Sequence, residues 1–148
     1  MLVEFIRRGI SVKENPLITL IGAIKKERRY PMAKETTKET GAILAHHMQA
    51  LGGGQLEAVL SDYTEDSVLF TADGLVKGLA GIRSFFENAI KTLSPDVMQA
   101  FTMLRQDVDG EVAYILWKAA PFIPLATDTF VIQNGKIVAQ TFTVLMPS

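Results

Sequence analysis

The chain has 148 residues, 48% of them hydrophobic and 21% charged, a balance that fits one globular domain with a sizeable core and is short for two. Cysteine is absent, which excludes disulfides, zinc–thiolate centres and thiol nucleophiles together. The net charge of −1 hides a split: residues 1–31 carry seven Lys/Arg against three Asp/Glu, and residues 32–148 carry eight against thirteen. All the clear structural patterning lies in the acidic part, so a nucleic-acid partner is excluded.

In residues 1–31 the longest apolar run, Leu17 to Ile24, is far too short to span a membrane. It leads into Lys25-Lys26-Glu27-Arg28-Arg29 rather than a small-residue cleavage site, so no secretory signal is expected and the compartment is expected to be cytoplasmic. Two readings compete: a basic arm resting on an anionic membrane or partner, and a loosely packed extension ahead of a domain opened by Met32. The second is adopted, giving an extension over 1–31 and a domain over 32–148.

Thr36-Thr-Lys-Glu39 has capping-box spacing and predicts a helix start. Leu44, His47, Met48 and Leu51 follow at i, i+3, i+4, i+7, and Gly52-Gly53-Gly54 ends the helix. A shorter helix carries Leu56, Val59, Leu60 and Tyr63. Ser67 to Thr71 then reads as a strand, turned by Asp73-Gly74 into Leu75 to Lys77. A third helix is predicted over about Gly81 to Leu93, with Ile82, Phe85, Phe86, Ala89, Ile90 and Leu93 as its apolar stripe. After Ser94-Pro95 everything reads as β: a strand near Val97 to Arg105, a turn at Asp109-Gly110, Val112 to Ala119, and a hairpin closed at Asn134-Gly135. There is no repeat, low-complexity tract or interdomain linker. Helices followed by antiparallel strands predict an α+β domain, with helices on one face of a sheet and a pocket between them if the sheet curls.

Asp128 asks most for a functional explanation. It shares a strand face with Ala126 and Phe130, and a carboxylate there must be neutralised, hydrogen-bonded or directed into a cavity. Burial would raise its pKa and make it a neutral donor or general acid; a structural carboxyl holding a loop or helix end is the alternative. His47 lies in the apolar stripe of the first helix, whereas His46 points about 100° away. It is either an acid–base group or a satisfied core histidine. The adjacent pair lacks the i, i+4 spacing of a helical metal clamp, and no other His exists.

Phe70, Phe85, Phe86, Tyr114, Trp117, Phe130 and Phe142 could line a pocket or fill a core. Alternation allows only one of Tyr114 and Trp117 to face inward. Gln140 shares a face with Val138 and Phe142. A strict two-residue turn would pair Asp128 with Thr141, and a three-residue loop with a G1 bulge would pair it with Gln140. No phosphate loop and no Gly-x-Ser-x-Gly turn is present.

The order of these elements resembles the nuclear transport factor two-like superfamily, in its SnoaL-like and ketosteroid isomerase-like group. The resemblance covers residues 36–146. It rests on Ala50-Leu-Gly-Gly-Gly-Gln-Leu-Glu57, Tyr63-Thr-Glu-Asp-Ser-Val68, Gly78-Leu-Ala-Gly-Ile-Arg-Ser-Phe-Phe86, Asp128-Thr-Phe130 and Asn134-Gly-Lys-Ile137. It implies a cystatin-like α+β fold: three N-terminal helices packed on a strongly curved, mostly antiparallel sheet that forms a cone-shaped pocket, in a homodimer. It also favours the bulged register, with Gln140 and Phe142 turned to the cavity beside Asp128.

By resemblance, Asp128 takes the place of the protonated aspartic acid that donates to the oxyanion in ketosteroid isomerase, and His47 that of its oxyanion tyrosine. Thr71 falls where the isomerase has its general base and cannot take up a proton near neutral pH. Steroid isomerisation by that mechanism is therefore not expected. The expectation is a SnoaL-like pocket protein, an isomerase, cyclase or dehydratase acting on a hydrophobic carbonyl compound by acid–base chemistry. Asp128 and His47 would be catalytic, and Phe70, Thr71, Phe86, Tyr114, Trp117, Phe130, Gln140 and Phe142 would contact the ligand. No metal or cofactor is required, and no nucleic-acid or membrane partner is expected. The alternative is a non-catalytic ligand-binding or dimerisation module of the same fold.

Overall fold

The structure, a computed structural model, describes the backbone over residues 16–146 and side chains over 33–146. Of the expected extension over 1–31, residues 1–15 and the side chains of 16–31 lie outside the described residues. The chain divides into two compact units, Met1–Glu35 and Thr36–Ser148. Helix α1 runs over Pro16–Gly52 and α2 over Leu56–Leu60. Strands β1 (Tyr63–Thr71) and β2 (Gly74–Lys77) form a hairpin, followed by α3 (Gly78–Thr92) and the short α4 (Pro95–Ala100). Strands β3 (Phe101–Asp109), β4 (Val112–Ala119), β5 (Ile123–Gln133) and β6 (Lys136–Leu145) complete the fold.

The six strands form one sheet in the order β2-β1-β6-β5-β4-β3, antiparallel at every pairing except β1 with β6. Bulges interrupt four of the five pairings, and such bulges bend a sheet; here it curls beneath the helices. The core lies between, built from Leu44, Val59, Leu69, Ile82, Phe86, Ile115, Phe130 and Ile137.

Three local expectations are corrected. Thr36 does not start a helix, because α1 already runs through it; Ala33, Lys34, Glu35 and Lys38 are good helix formers, with nothing among them to break the helix. The neighbouring threonines tie α1 to the β3–β4 turn instead. Thr37 Oγ1 accepts from the Gly110 N–H at 2.9 Å, and buried Thr40 donates to the Gly110 carbonyl at 2.7 Å. The segment after Ser94 opens as a helical turn before the strand begins. Ser94 Oγ accepts from the Val97 N–H at 3.4 Å, Pro95 takes the first turn and Asp96 follows, all N-terminal signals. Finally, Tyr63 belongs to β1 rather than to the second helix.

The closing hairpin settles the register in a third way. Gln133 pairs with Lys136 across Asn134 (φ 51°) and Gly135 (φ 71°), the two positive values of a type I′ turn. A bulge then follows, with Ile132 opposite Ile137 but Val131 opposite Ala139. Asp128 consequently pairs with Phe142, neither Thr141 nor Gln140. The extra residue also moves the inward face of β6 from odd to even positions: Ile137 is buried on one side of the bulge and Gln140 on the other. Gln140 and Phe142 thus face inward with Asp128, as the resemblance implied, but through a bulge inside the strand.

Replacing Gly135 with Ala should lower stability by about 1–2 kcal/mol, because a Cβ penalises the left-handed conformation. The nearest atom to the added Cβ, Glu39 Oε1 at 3.6 Å, is at ordinary contact distance, so strain alone is at issue. A urea melt checks this, and an unchanged midpoint would mean that the turn is not set by its positive φ values.

Candidate functional site

Alternation on β5 buries Ala126, Asp128, Phe130 and Ile132 together, so the backbone itself delivers one carboxyl to an apolar floor. Neighbouring strands supply its partners. From β4, Trp117 Nε1–H donates to Asp128 Oδ2 at 2.9 Å; from β6, Gln140 Nε2–H donates to Oδ1 at 2.9 Å. The Gln140 carbonyl oxygen accepts in turn from the buried Tyr63 hydroxyl on β1. Four strands are joined by this chain of side chains, and every hydrogen bond in it points toward Asp128.

Asp128 is 6% exposed. Burial pushes its pKa above the ordinary value, partly opposed by the Trp117 and Gln140 hydrogen bonds and by nearby His47. Burial also pushes the Tyr63 hydroxyl well above its usual value, helped by Asp128 and Asp62, so Tyr63 remains a donor.

His47 is 1% exposed and half of the His46 side chain is exposed, which puts His47 inside and His46 at the surface. The His47 ring meets Tyr63, Phe86 and Phe130 edge-on at centroid distances of 5.7, 5.6 and 5.4 Å. Phe85 extends this aromatic wall, packing on Phe86 at 5.2 Å and on Phe142 at 5.9 Å. Phe101 stacks on Trp117 at 5.4 Å. Phe85, Phe142 and Trp117 are only partly buried, so the wall grades from sealed rings around His47 to accessible ones near Trp117.

Of the expected site residues, Asp128, Trp117 and Gln140 are in direct contact, and His47, Phe86 and Phe130 share the ring cluster. Phe142 sits across from Asp128 on the same face. Three expectations are corrected. Phe70 is 49% exposed, because Leu69 takes the inward position on β1. Tyr114 lies on the opposite face of β4 from Ala113 and Ile115, leaving Trp117 as the inward aromatic. Thr71 belongs to the β1–β2 turn, where its hydroxyl donates to the Gly74 carbonyl at 3.0 Å and accepts from the Asp73 N–H at 3.2 Å.

Sequence reasoning missed Tyr63 and Asp62. Asp62 is buried between the histidines, its Oδ1 2.8 Å from His46 Nδ1 and its Oδ2 3.5 Å from His47 Nδ1. The signal was an Asp-Tyr pair where a helical pattern changes to a strand, a place where side chains turn from one layer toward another. Among the described residues no cluster of three His, Asp or Glu side chains is arranged to hold a metal, and no helix is long and apolar enough to cross a membrane.

The fold and site define an α+β unit, a curled sheet with helices packed on it, carrying a buried carboxyl and imidazole among aromatic rings. Comparison with solved structures assigns it: the chain has the nuclear transport factor two-like fold. It is similar to a nuclear transport factor two-like protein of unknown function from Pseudomonas putida KT2440, with 15% identity over 78% of this chain and 97% of that one and a TM-score of 0.62. A SnoaL-like protein of unknown function from Burkholderia thailandensis E264 aligns at 15% identity over 73% and 95% of the two chains, TM-score 0.60. A putative ketosteroid isomerase from Kribbella flavida DSM 17836 aligns at 15% identity over 75% and 81%, TM-score 0.58. No family model matches the chain, and no curated protein does.

The raised Asp128 pKa fixes the sign of a stability effect. Its contribution is fully present below the ordinary value of 3.8 and is lost as pH rises through the higher folded-state value. Asp128→Asn removes that loss, and its amide can keep the network if Gln140 turns over: Asn accepts from Trp117 and donates to Gln140, which donates to Tyr63. Urea melts across acidic to neutral pH should show wild-type stability falling through this window while the variant's profile is flatter. Near neutral pH the variant should stay within about 1 kcal/mol of wild type, whereas Asp128→Val should lose about 1–3 kcal/mol through its orphaned donors. Parallel profiles for wild type and Asp128→Asn would show that Asp128 has the same pKa folded and unfolded.

Proposed function

We propose that this domain is a small-molecule enzyme that moves a proton beside the carbonyl group of an apolar compound, in the manner of an isomerase, cyclase or dehydratase. The observation that carries the reading is the Asp128 carboxyl, buried on an apolar floor with its pKa raised, near a buried imidazole. A neutral carboxyl donates a hydrogen bond to a carbonyl oxygen and strengthens it as charge develops there. His47 takes up or returns the carbon-bound proton, since Thr71 is engaged in its own turn and has no basic group. Phe142, Phe85 and Trp117 exclude water and give the ligand its apolar contact.

A specific observation favours a second reading. Both Asp128 oxygens already accept hydrogen bonds, which suits a carboxyl that pins β4, β5 and β6 together in a non-catalytic ligand-binding or dimerisation module. A homodimer fits either reading, because Phe70, Val112 and Leu125 are large apolar side chains exposed on the outer sheet face.

Exchange of the α-protons of 2-tetralone in D2O, followed by proton NMR, separates the two. The enzyme reading expects exchange faster than buffer, with His47→Gln and Asp128→Asn each losing about 10²-fold, the lower range for positioned acid–base groups. Perturbed Trp117 fluorescence with no acceleration would leave the binding module. The absence of both effects would contradict a pocket for apolar carbonyl compounds.

A further inference from the structure

Asp62 is a buried carboxylate shared by two histidines from adjacent positions of α1. Its Oδ1 makes a short contact of 2.8 Å with His46 Nδ1. Its Oδ2 faces His47 Nδ1 at 3.5 Å, and both of these atoms are buried without a hydrogen-bond partner. Two unpartnered polar atoms facing each other are costly unless a proton can come between them, when they become a charge-assisted hydrogen bond. The side chains also form a gradient of access, with His46 half exposed, Asp62 5% exposed and His47 1% exposed. The carboxylate's backbone is held firmly: the Ile137 N–H donates to the Asp62 carbonyl at 2.7 Å and the Asp62 N–H donates to the Val59 carbonyl at 3.2 Å. Motion is thereby confined to the side chain.

We propose that His46, Asp62 and His47 form a proton relay from solvent to the interior site, with His46 and Asp62 as positioning residues that reload His47. The role of His47 as the interior proton carrier rests on the function proposed above. A proton taken from water at His46 Nε2 releases the proton on His46 Nδ1 to Asp62 Oδ1. A turn of the carboxyl about its Cβ–Cγ bond presents that proton to His47 Nδ1, and His47 gives up its Nε2 proton on the other side of the ring. One proton enters and one leaves, His46 returns to neutrality and Asp62 returns to its carboxylate. One short and one long approach are what a carboxyl that serves its two neighbours alternately requires.

The other ionisable groups near this path are Tyr63 and Asp128 on the interior side, and Lys136, whose ammonium donates to the Ser61 carbonyl at 2.5 Å. Tyr63 stays protonated, and the Lys136 amine is committed to a carbonyl outside the chain of three. Neither supplies an alternative carrier between His46 and His47.

The test needs no substrate, so it can fail while the proposed function stands, and the reverse. In protein labelled with nitrogen-15 at histidine, exchange of the His47 ring proton with solvent is followed by NMR. His46→Ala, at an exposed position, should slow that exchange at least about tenfold, a modest share of what positioned proton carriers contribute. Free imidazole added to the buffer should restore it, because the space left by the side chain admits the carrier. Asp62→Asn should slow it too, without rescue by imidazole. Unchanged exchange in His46→Ala, or slowing that imidazole fails to reverse, would overturn the relay. The His46→Ala experiment stands alone if Asp62→Asn does not fold.

Discussion

The interaction on which the rest of the structure depends is the side-chain hydrogen-bond chain from Trp117 to Asp128 and from Tyr63 through Gln140 to Asp128. It crosses β4, β5, β6 and β1 on the inward face, where the sheet must curl and also carry polar atoms. A buried carboxyl is costly to desolvate, and without two N–H donors from neighbouring strands Asp128 would be a defect in the core. With them, it fixes which way β6 and β4 present their side chains. The bulge before Gln140 brings that amide to the inward face. An unbulged β6 would have put Ala139 and Thr141 there and left Asp128 without its β6 partner.

The same economy explains the arrangement around His47. Its ring is enclosed edge-on by Tyr63, Phe86 and Phe130, with Asp62 near Nδ1 and Asp128 close enough for its ionisation to feel the imidazole. Helix α1 supplies the imidazole, the α2–β1 junction supplies Asp62 and the sheet supplies Asp128. No single element could build this grouping. It appears only when the helices close over the sheet, so it ties site geometry to folding of the whole unit over residues 36–148. Packing and polarity are joined here at one side chain, and substitutions at Phe86 or Phe130 would move the imidazole as well as the core.

The architecture was legible where residue patterns are local and periodic. The apolar stripe of α1 put His47 inside, alternation on β5 put Asp128 on the inner face, and Asn134-Gly135 marked the hairpin. The sequence misled where a local signal had two uses. Thr36 to Glu39 has the spacing of a helix cap, yet Thr37 and Thr40 bind the Gly110 turn instead. Ser94-Pro95 reads as a stop, yet it also starts a helical turn. Phe70 and Tyr114 are aromatic like the residues that do line the interior, but strand parity, legible once one neighbour is fixed, turns them away. Tyr63 and Asp62 could not be assigned to the site, because their partners lie 77 and 16 residues away and meet them only in the folded state.

Asp128 is a buried carboxyl whose pKa is raised above the ordinary value, and carboxyl-carbon NMR of protein labelled at aspartate measures this directly. The Asp128 resonance should titrate with a midpoint above the ordinary 3.8, and the Trp117 indole N–H should shift at the same midpoint because it donates to Oδ2. A midpoint at or below that value would mean a carboxylate stabilised outright by its two donors. Asp128 would then be a structural pin, and the acid role assigned to it would be wrong.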